Sequence, residues 1–142
     1  MEKEVMISIK GLQEMDGGED GTELITQGSY SYSEDEIHLS YMESELTGLG
    51  GTKTDFLVRP GEVILSRTGS VTSQMVFQKG RRHDFVYETP HGTLTLGLDT
   101  HRIFTALHEA GGDMEIEYDL NFDHAIVSRN KFKINVREQG RN

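Results

Sequence analysis

The chain has 142 residues and carries 24 acidic side chains against 14 basic ones, which gives a formal net charge of −10. An acidic surface repels phosphate groups, so we expect no nucleic-acid partner and no membrane partner. The chain has no cysteine, which excludes disulfides, thiolate metal sites and thiol nucleophiles. Its length predicts that residues 1–142 form one domain, and its short apolar runs with a charged start predict a cytoplasmic protein.

Alternation of apolar and polar residues predicts strands along almost the whole chain. The inward sets, in chain order, are Val5, Ile7 and Ile9; Leu24, Thr26, Tyr30 and Tyr32; Ile37, Leu39 and Tyr41; Thr54, Phe56 and Val58; Val63 and Leu65; Met75 and Phe77; Phe85 and Tyr87; and Leu94, Leu96 and Leu98. Turn residues rich in glycine separate these sets. The pattern predicts an all-β fold, a single antiparallel closed barrel of about 8 to 10 strands, because closure removes exposed strand edges. A β-sandwich is the alternative.

The segment from Thr100 to Ala110 is compatible with two structures. Ile103 and Leu107 are four residues apart, as in a short helix that stops at Gly111. Ile103, Thr105 and Leu107 also alternate, and two glycines follow, as in a strand that enters a hairpin. We expect a strand, with a bulge near Thr100 that absorbs the change of phase from Leu98.

The last two strands are predicted to form a hairpin with a charge ladder on its outer face. Apolar residues occupy every even position from Met114 to Phe122, and alternation returns from Phe132 to Arg137 after a turn signal at Asp123-His124. This pairing places Glu115, Glu117 and Asp119 near Lys131, Lys133 and Arg129, a favourable cross-strand arrangement. We therefore interpret the basic tail as a ladder partner and not as a nucleic-acid patch.

Two charged residues share the inward face of their strands. Glu43 has the same parity as Leu39 and Tyr41, and Arg67 has the same parity as Val63 and Leu65. An isolated inward charge is costly, so we expect Glu43 and Arg67 to meet each other or a ligand near an open end. A position beyond the rim in water, or a buried pair that only fixes register, is equally compatible with the sequence.

Further polar side chains have inward parity, namely Tyr30, Tyr32, Tyr41, Thr52, Thr54, Ser73, His83, Tyr87 and Thr89. An arginine and several tyrosine hydroxyls on apolar walls suit a small molecule with an anionic head and an apolar body. The candidate ligand-binding residues are Tyr30, Tyr41, Glu43, Arg67, His83 and Tyr87. No catalytic residue, metal site or cofactor is expected, because the six histidines lack metal-ligand spacing and no nucleophile motif is present.

Several stretches resemble the YwiB-like family of small bacterial proteins of unknown function. The residues that carry the resemblance are Ser40-Tyr41-Met42-Glu43-Ser44 with Thr47-Gly48 and Gly51-Thr52, Arg67 with Gly69, Met75-Val76-Phe77 with Gly80, Tyr87 to Gly92, and Gly111-Gly112 through Leu120. The resemblance implies a calycin-like, lipocalin-related barrel and an intracellular setting. It transfers no catalytic residue.

The sequence thus predicts a non-enzymatic barrel that binds a small amphipathic or anionic ligand in its interior. The alternative is a filled barrel that acts as a protein-interaction or dimerisation module, and a homodimer is left open. An interior cavity of about 300 Å³ or more favours the ligand.

Overall fold

The structure is a computed structural model that describes residues 2–15, 17–43, 50–123 and 125–138. Within these ranges every regular element is a strand. The strands are β1 (Glu2–Met15), β2 (Gly18–Tyr32), β3 (Ile37–Met42), β4 (Lys53–Arg59), β5 (Glu62–Thr68), β6 (Ser73–Phe77), β7 (Arg82–Thr89), β8 (Gly92–His108), β9 (Gly111–Phe122) and β10 (Ala125–Glu138). The predicted turn residue His124 and the resemblance residues Ser44, Thr47 and Gly48 lie outside the described residues.

The ten strands form one antiparallel sheet in the order β6-β5-β4-β3-β2-β1-β10-β9-β8-β7. The two terminal strands of that order approach each other, and Thr72 and Glu88 exchange two backbone hydrogen bonds of 3.0 Å across the gap. The sheet is therefore a nearly closed barrel. The predicted all-β antiparallel barrel is confirmed, and the sandwich alternative was wrong.

The chain runs up and down between two ends of the barrel. The turns at 15–18, 89–92 and 122–125 lie at one end, which we call the hairpin end. The turns at 32–37, 59–62 and 108–111 lie at the other, which we call the opposite end. Because strand side chains alternate between faces, each inward set becomes one column of the core. The interior includes side chains with no exposed surface, among them Val5, Ile7, Leu65 and Phe77.

The segment that was ambiguous in the sequence is the second half of β8. A shift of the β8–β9 register between Thr100 and Arg102 marks an irregularity there. One extra residue at this point restores the inward direction of Ile103 after Leu98 and Thr100. The predicted strand and its bulge are confirmed.

The charge ladder on β9 and β10 also has the predicted register. Arg129 pairs with Asp119, Lys131 with Glu117, and Lys133 with Glu115. Arg102 of β8 adds a cation 3.5 Å from both Glu115 and Glu117. Arg102, Glu115 and Glu117 are partly exposed, so their ion pairs contribute little stability, but they oppose a slip of the register. Asp119 is more buried, and its carboxylate lies 2.8 Å from His101 Nε2.

Candidate functional site

A row of polar side chains crosses the inner wall of the barrel near the hairpin end. The strand register places Tyr41 of β3 beside Thr54 of β4, Thr54 beside Arg67 of β5, and Arg67 beside Ser73 of β6. These four residues share the inward parity of the core residues on their strands. We call Tyr41, Thr54, Arg67 and Ser73 the polar row.

Glu43 lies directly after β3 and closes one side of the polar row. Its backbone N–H donates to the Thr52 carbonyl at 2.8 Å, which continues the β3–β4 ladder past Met42. Its carboxylate is 97% buried, accepts a hydrogen bond of 2.6 Å from the Thr54 hydroxyl, and lies 3.9 Å from Arg67 Nε. The predicted meeting of Glu43 and Arg67 is confirmed.

Two buried polar atoms of the polar row have no hydrogen-bond partner among the described residues. They are Arg67 Nε and Ser73 Oγ, which belong to directly paired residues on neighbouring strands. Buried polar atoms in folded proteins are almost always hydrogen-bonded, so an unpartnered pair in one place marks a site that suits an external polar group.

A cavity of about 440 Å³ opens beside the polar row. Arg67 and Tyr87 contribute polar groups to its wall, while Met75, Phe85 and Leu120 contribute apolar surface. The remaining lining residues are Gly11, Leu12, Gln13, Asp20, Thr22, Leu94, Leu96, Tyr118, Val127, Asn130, Lys131 and Phe132. The cavity has the composition of a small-molecule site, with mostly apolar walls and a few polar groups.

Two buried tyrosines near Arg67, Tyr41 and Tyr118, remain neutral at physiological pH. Burial raises the pKa of Tyr41, and the neighbouring Glu43 carboxylate raises it further. Burial also raises the pKa of Tyr118, partly offset by the positive charge of Arg67. Both phenols are therefore neutral. The Tyr41 side chain is hydrogen-bonded to Glu43, whereas Tyr118 lies in the cavity wall, where a neutral hydroxyl can donate to an anion.

The predicted ligand residues fall into three groups. Arg67 and Tyr87 line the cavity, and Tyr41 and Glu43 lie behind Arg67. His83 bonds Gln78 Oε1 at 2.8 Å near the β6–β7 turn, outside the cavity wall.

Tyr30 forms the third group, at the opposite end of the barrel. Its hydroxyl donates to the His108 carbonyl at 2.6 Å, and burial raises its pKa to about 12. Tyr30 and His83 are thus not brought together with Arg67.

Three aromatic residues of the cavity wall, Phe85, Tyr118 and Phe132, have inward parity but were not among the candidate ligand residues. Tyr118 forms an edge contact with Phe77, with ring centroids 4.9 Å apart, and a tilted contact of 5.6 Å with Phe132. Alternation placed Tyr118 and Phe132 inward, but it gives no information on their distance from Arg67. That distance follows from the order of the strands around the barrel.

The described part of the chain holds no group of three or more histidine, aspartate or glutamate residues that is placed to bind a metal ion. In the same residues there is no helix long and apolar enough to cross a membrane.

Fold and site together define an antiparallel β-barrel with an apolar internal cavity and an arginine in the cavity wall. The chain belongs to the family described as a domain of unknown function, DUF1934, whose model matches residues 7–134. It is 32% identical over 120 residues to the uncharacterized beta-barrel protein YwiB of Bacillus subtilis strain 168. The aligned region covers 84% of this chain and 83% of that protein.

A solved structure supports the same assignment. The crystal structure of the ywiB protein from Bacillus subtilis superimposes with a TM-score of 0.87 at 28% identity, over 98% of this chain and 94% of that chain. The resemblance to the YwiB-like family is confirmed. The finer relation to calycins and lipocalins stays a prediction.

Proposed function

We propose that this protein binds a small molecule with an apolar body and one anionic head group in its interior, and that it is not an enzyme. The cavity beside Arg67 carries the proposal. Its volume of about 440 Å³ lies within the range of roughly 300 to 1,000 Å³ that is usual for small-molecule sites. This supports a ligand over a filled barrel that acts only through its outer surface.

The position of the charged and apolar groups favours one orientation of the ligand. Arg67 Nε and Ser73 Oγ are buried donors from which a carboxylate can accept hydrogen bonds, and the neutral Tyr118 lines the same cavity as Arg67. Phe85, Leu96 and Phe132 line the cavity with apolar surface suited to a hydrocarbon body. Because Glu43 already balances Arg67, we expect the apolar body to supply most of the affinity and the head group to supply selectivity.

The hairpin end offers a route of entry. Leu12, Leu94 and Val127 line the cavity and are also exposed to solvent. An apolar molecule can therefore contact side chains of three hairpins before it reaches the interior.

A cytoplasmic setting, and the lack of nucleic-acid or membrane partners, belong to the same proposal.

Titration with decanoate and with decanol separates the role of the ligand's anionic head group from that of its apolar body. We expect decanoate to bind the wild-type protein, as measured by calorimetry and by methyl chemical shifts of Met75. Arg67→Met is expected to weaken decanoate binding by roughly tenfold, the effect of one lost charge-assisted hydrogen bond, and to leave decanol binding nearly unchanged.

Arg59→Met is the matched control, because Arg59 is an exposed arginine at the opposite end of the barrel. It should bind both molecules as the wild type does. A second variant, Leu96→Trp, fills the cavity and should abolish binding of both molecules. If neither molecule binds, or if Leu96→Trp binds them unchanged, the interior is not the site.

A further inference from the structure

One edge of β8 is open along six residues. β7 pairs with β8 only from Gly92 to Asp99, whereas β9 pairs with it as far as His108. The Gly80 N–H donates to the Thr100 carbonyl at 3.2 Å, and the Tyr30 hydroxyl donates to the His108 carbonyl. Between these two hydrogen bonds, no described residue pairs with the free side of the 102–107 segment.

The segment from Arg102 to Leu107, which we call the open edge, lacks the usual protection of an edge strand. Natural edges are commonly blunted by proline, by inward-pointing charges or by close coverage. The open edge contains no proline, its inward residues Ile103, Thr105 and Leu107 are uncharged, and its central residues are exposed to solvent. It is therefore a template for a further antiparallel strand.

The composition of the open edge is self-complementary. A two-fold axis through Phe104 places the two Phe104 rings side by side on the outer face, and Ile103 opposite Thr105. Arg102, the one charged residue of the open edge, then faces Ala106 of the other copy. The two arginines lie at opposite ends of the pair, and each has Glu115 and Glu117 of its own chain at 3.5 Å.

We propose that a second copy of this chain docks on the open edge, antiparallel and two-fold symmetric about Phe104, so that two barrels share one continuous sheet. Phe104 is 41% exposed in the single chain and becomes covered in the pair. A contact of six residues per copy buries little area, so the dimer is weak and depends on protein concentration. The dimer is independent of whether the cavity binds a ligand.

Substitution of Phe104 by residues of opposite charge tests the proposed two-fold axis directly. Sedimentation velocity of the wild-type protein over a range of concentrations should show a species of twice the 16.0 kDa chain mass. Phe104→Lys and Phe104→Glu should each be monomeric, because the axis brings two like charges face to face. An equal mixture of the two variants should recover the dimer, because each lysine then meets a glutamate.

Val86→Lys is the matched control, because Val86 lies on β7 and is 46% exposed. It should dimerise as the wild type does, and thermal unfolding checks that all variants are folded. Because the chain has no cysteine, Phe104→Cys gives a second readout. Residues directly opposite in an antiparallel pair are close enough for a disulfide, so Phe104→Cys should crosslink under mild oxidation and Val86→Cys should not.

A wild-type protein that is monomeric at every concentration overturns the proposal. So does a dimer that survives both Phe104→Lys and Phe104→Glu, since its interface must then lie elsewhere. Equal crosslinking of Phe104→Cys and Val86→Cys also overturns the proposal, because it shows that the disulfides form by random collision between chains.

Discussion

The Glu43 side chain is almost fully buried between Thr54 and Arg67, and these two neighbours are its polar contacts across β4 and β5. We expect Glu43→Gln or Arg67→Met alone to lower the free energy of unfolding by about 3 kcal/mol, because each leaves one buried charge uncompensated. The double variant should lose less than the sum of the two single variants, since it removes both charges together. Urea denaturation measures all three.

Glu23→Gln is the control for this cycle, because Glu23 is an exposed carboxylate on β2. We expect it to change stability by less than about 0.5 kcal/mol. If Glu43→Gln is as mild as Glu23→Gln, the Glu43–Arg67 pair does not hold the polar row together.

Because of Tyr30, we expect the stability of the folded state to fall at alkaline pH. Its pKa rises from 10.0 to about 12 on folding, so the folded state favours the neutral phenol. The resulting stability is present below pH 10 and is lost as the pH rises through about 12. Tyr30→Phe loses the hydrogen bond to the His108 carbonyl, which costs about 1 kcal/mol near neutral pH.

The free energy of unfolding of Tyr30→Phe is expected to be lower than that of the wild type near neutral pH. Above pH 10 this difference should shrink, because only the wild type loses stability through ionisation of Tyr30. Urea denaturation at several pH values measures the difference. The buried phenols of Tyr41 and Tyr118 are present in both proteins and contribute equally to both. A deficit that stays constant up to pH 12 would show that Tyr30 is not protected from ionisation.

At the scale of the elements, Gly28 controls how closely β2 approaches β3. A Cβ at this position would overlap the Ile7 side chain and the Ser40 carbonyl oxygen. The carbonyl belongs to the β3 backbone and cannot rotate away, so we expect Gly28→Ala to destabilise the fold by about 1 to 3 kcal/mol. Gly18→Ala is the control, because nothing lies within 4 Å of a Cβ there. Thermal unfolding of the two variants should differ clearly, and equal melting temperatures would contradict this close approach.

The strands themselves could be predicted from the sequence because alternation is a local signal. The β8 bulge was predictable for the same reason, since parity changes between Leu98 and Ile103. The pairing of β1 with β10 could not be predicted from alternation, because the two strands are separated by most of the chain. The open edge of β8 was also missed, since it depends on where the short strand β7 stops.

At the scale of the whole molecule, parity predicted which face each site residue occupies but not its height along the barrel. Arg67 and Tyr87 are inward and near the hairpin end, so they line the cavity. Tyr30 and His83 are inward as well, yet Tyr30 binds His108 at the opposite end and His83 binds Gln78. Height depends on the register of every strand between two residues, and alternation within each strand does not report that register.

The most direct test of interior binding is native mass spectrometry of the wild-type protein and of Leu96→Trp, both purified without denaturation from the protein's own host. We expect the wild-type spectrum to contain the chain plus one additional small molecule that dissociates on gentle activation. Leu96→Trp, with its cavity filled, should show the bare chain mass. A wild-type protein that carries nothing, or an adduct that Leu96→Trp retains in equal amount, would contradict a ligand held in the cavity beside Arg67.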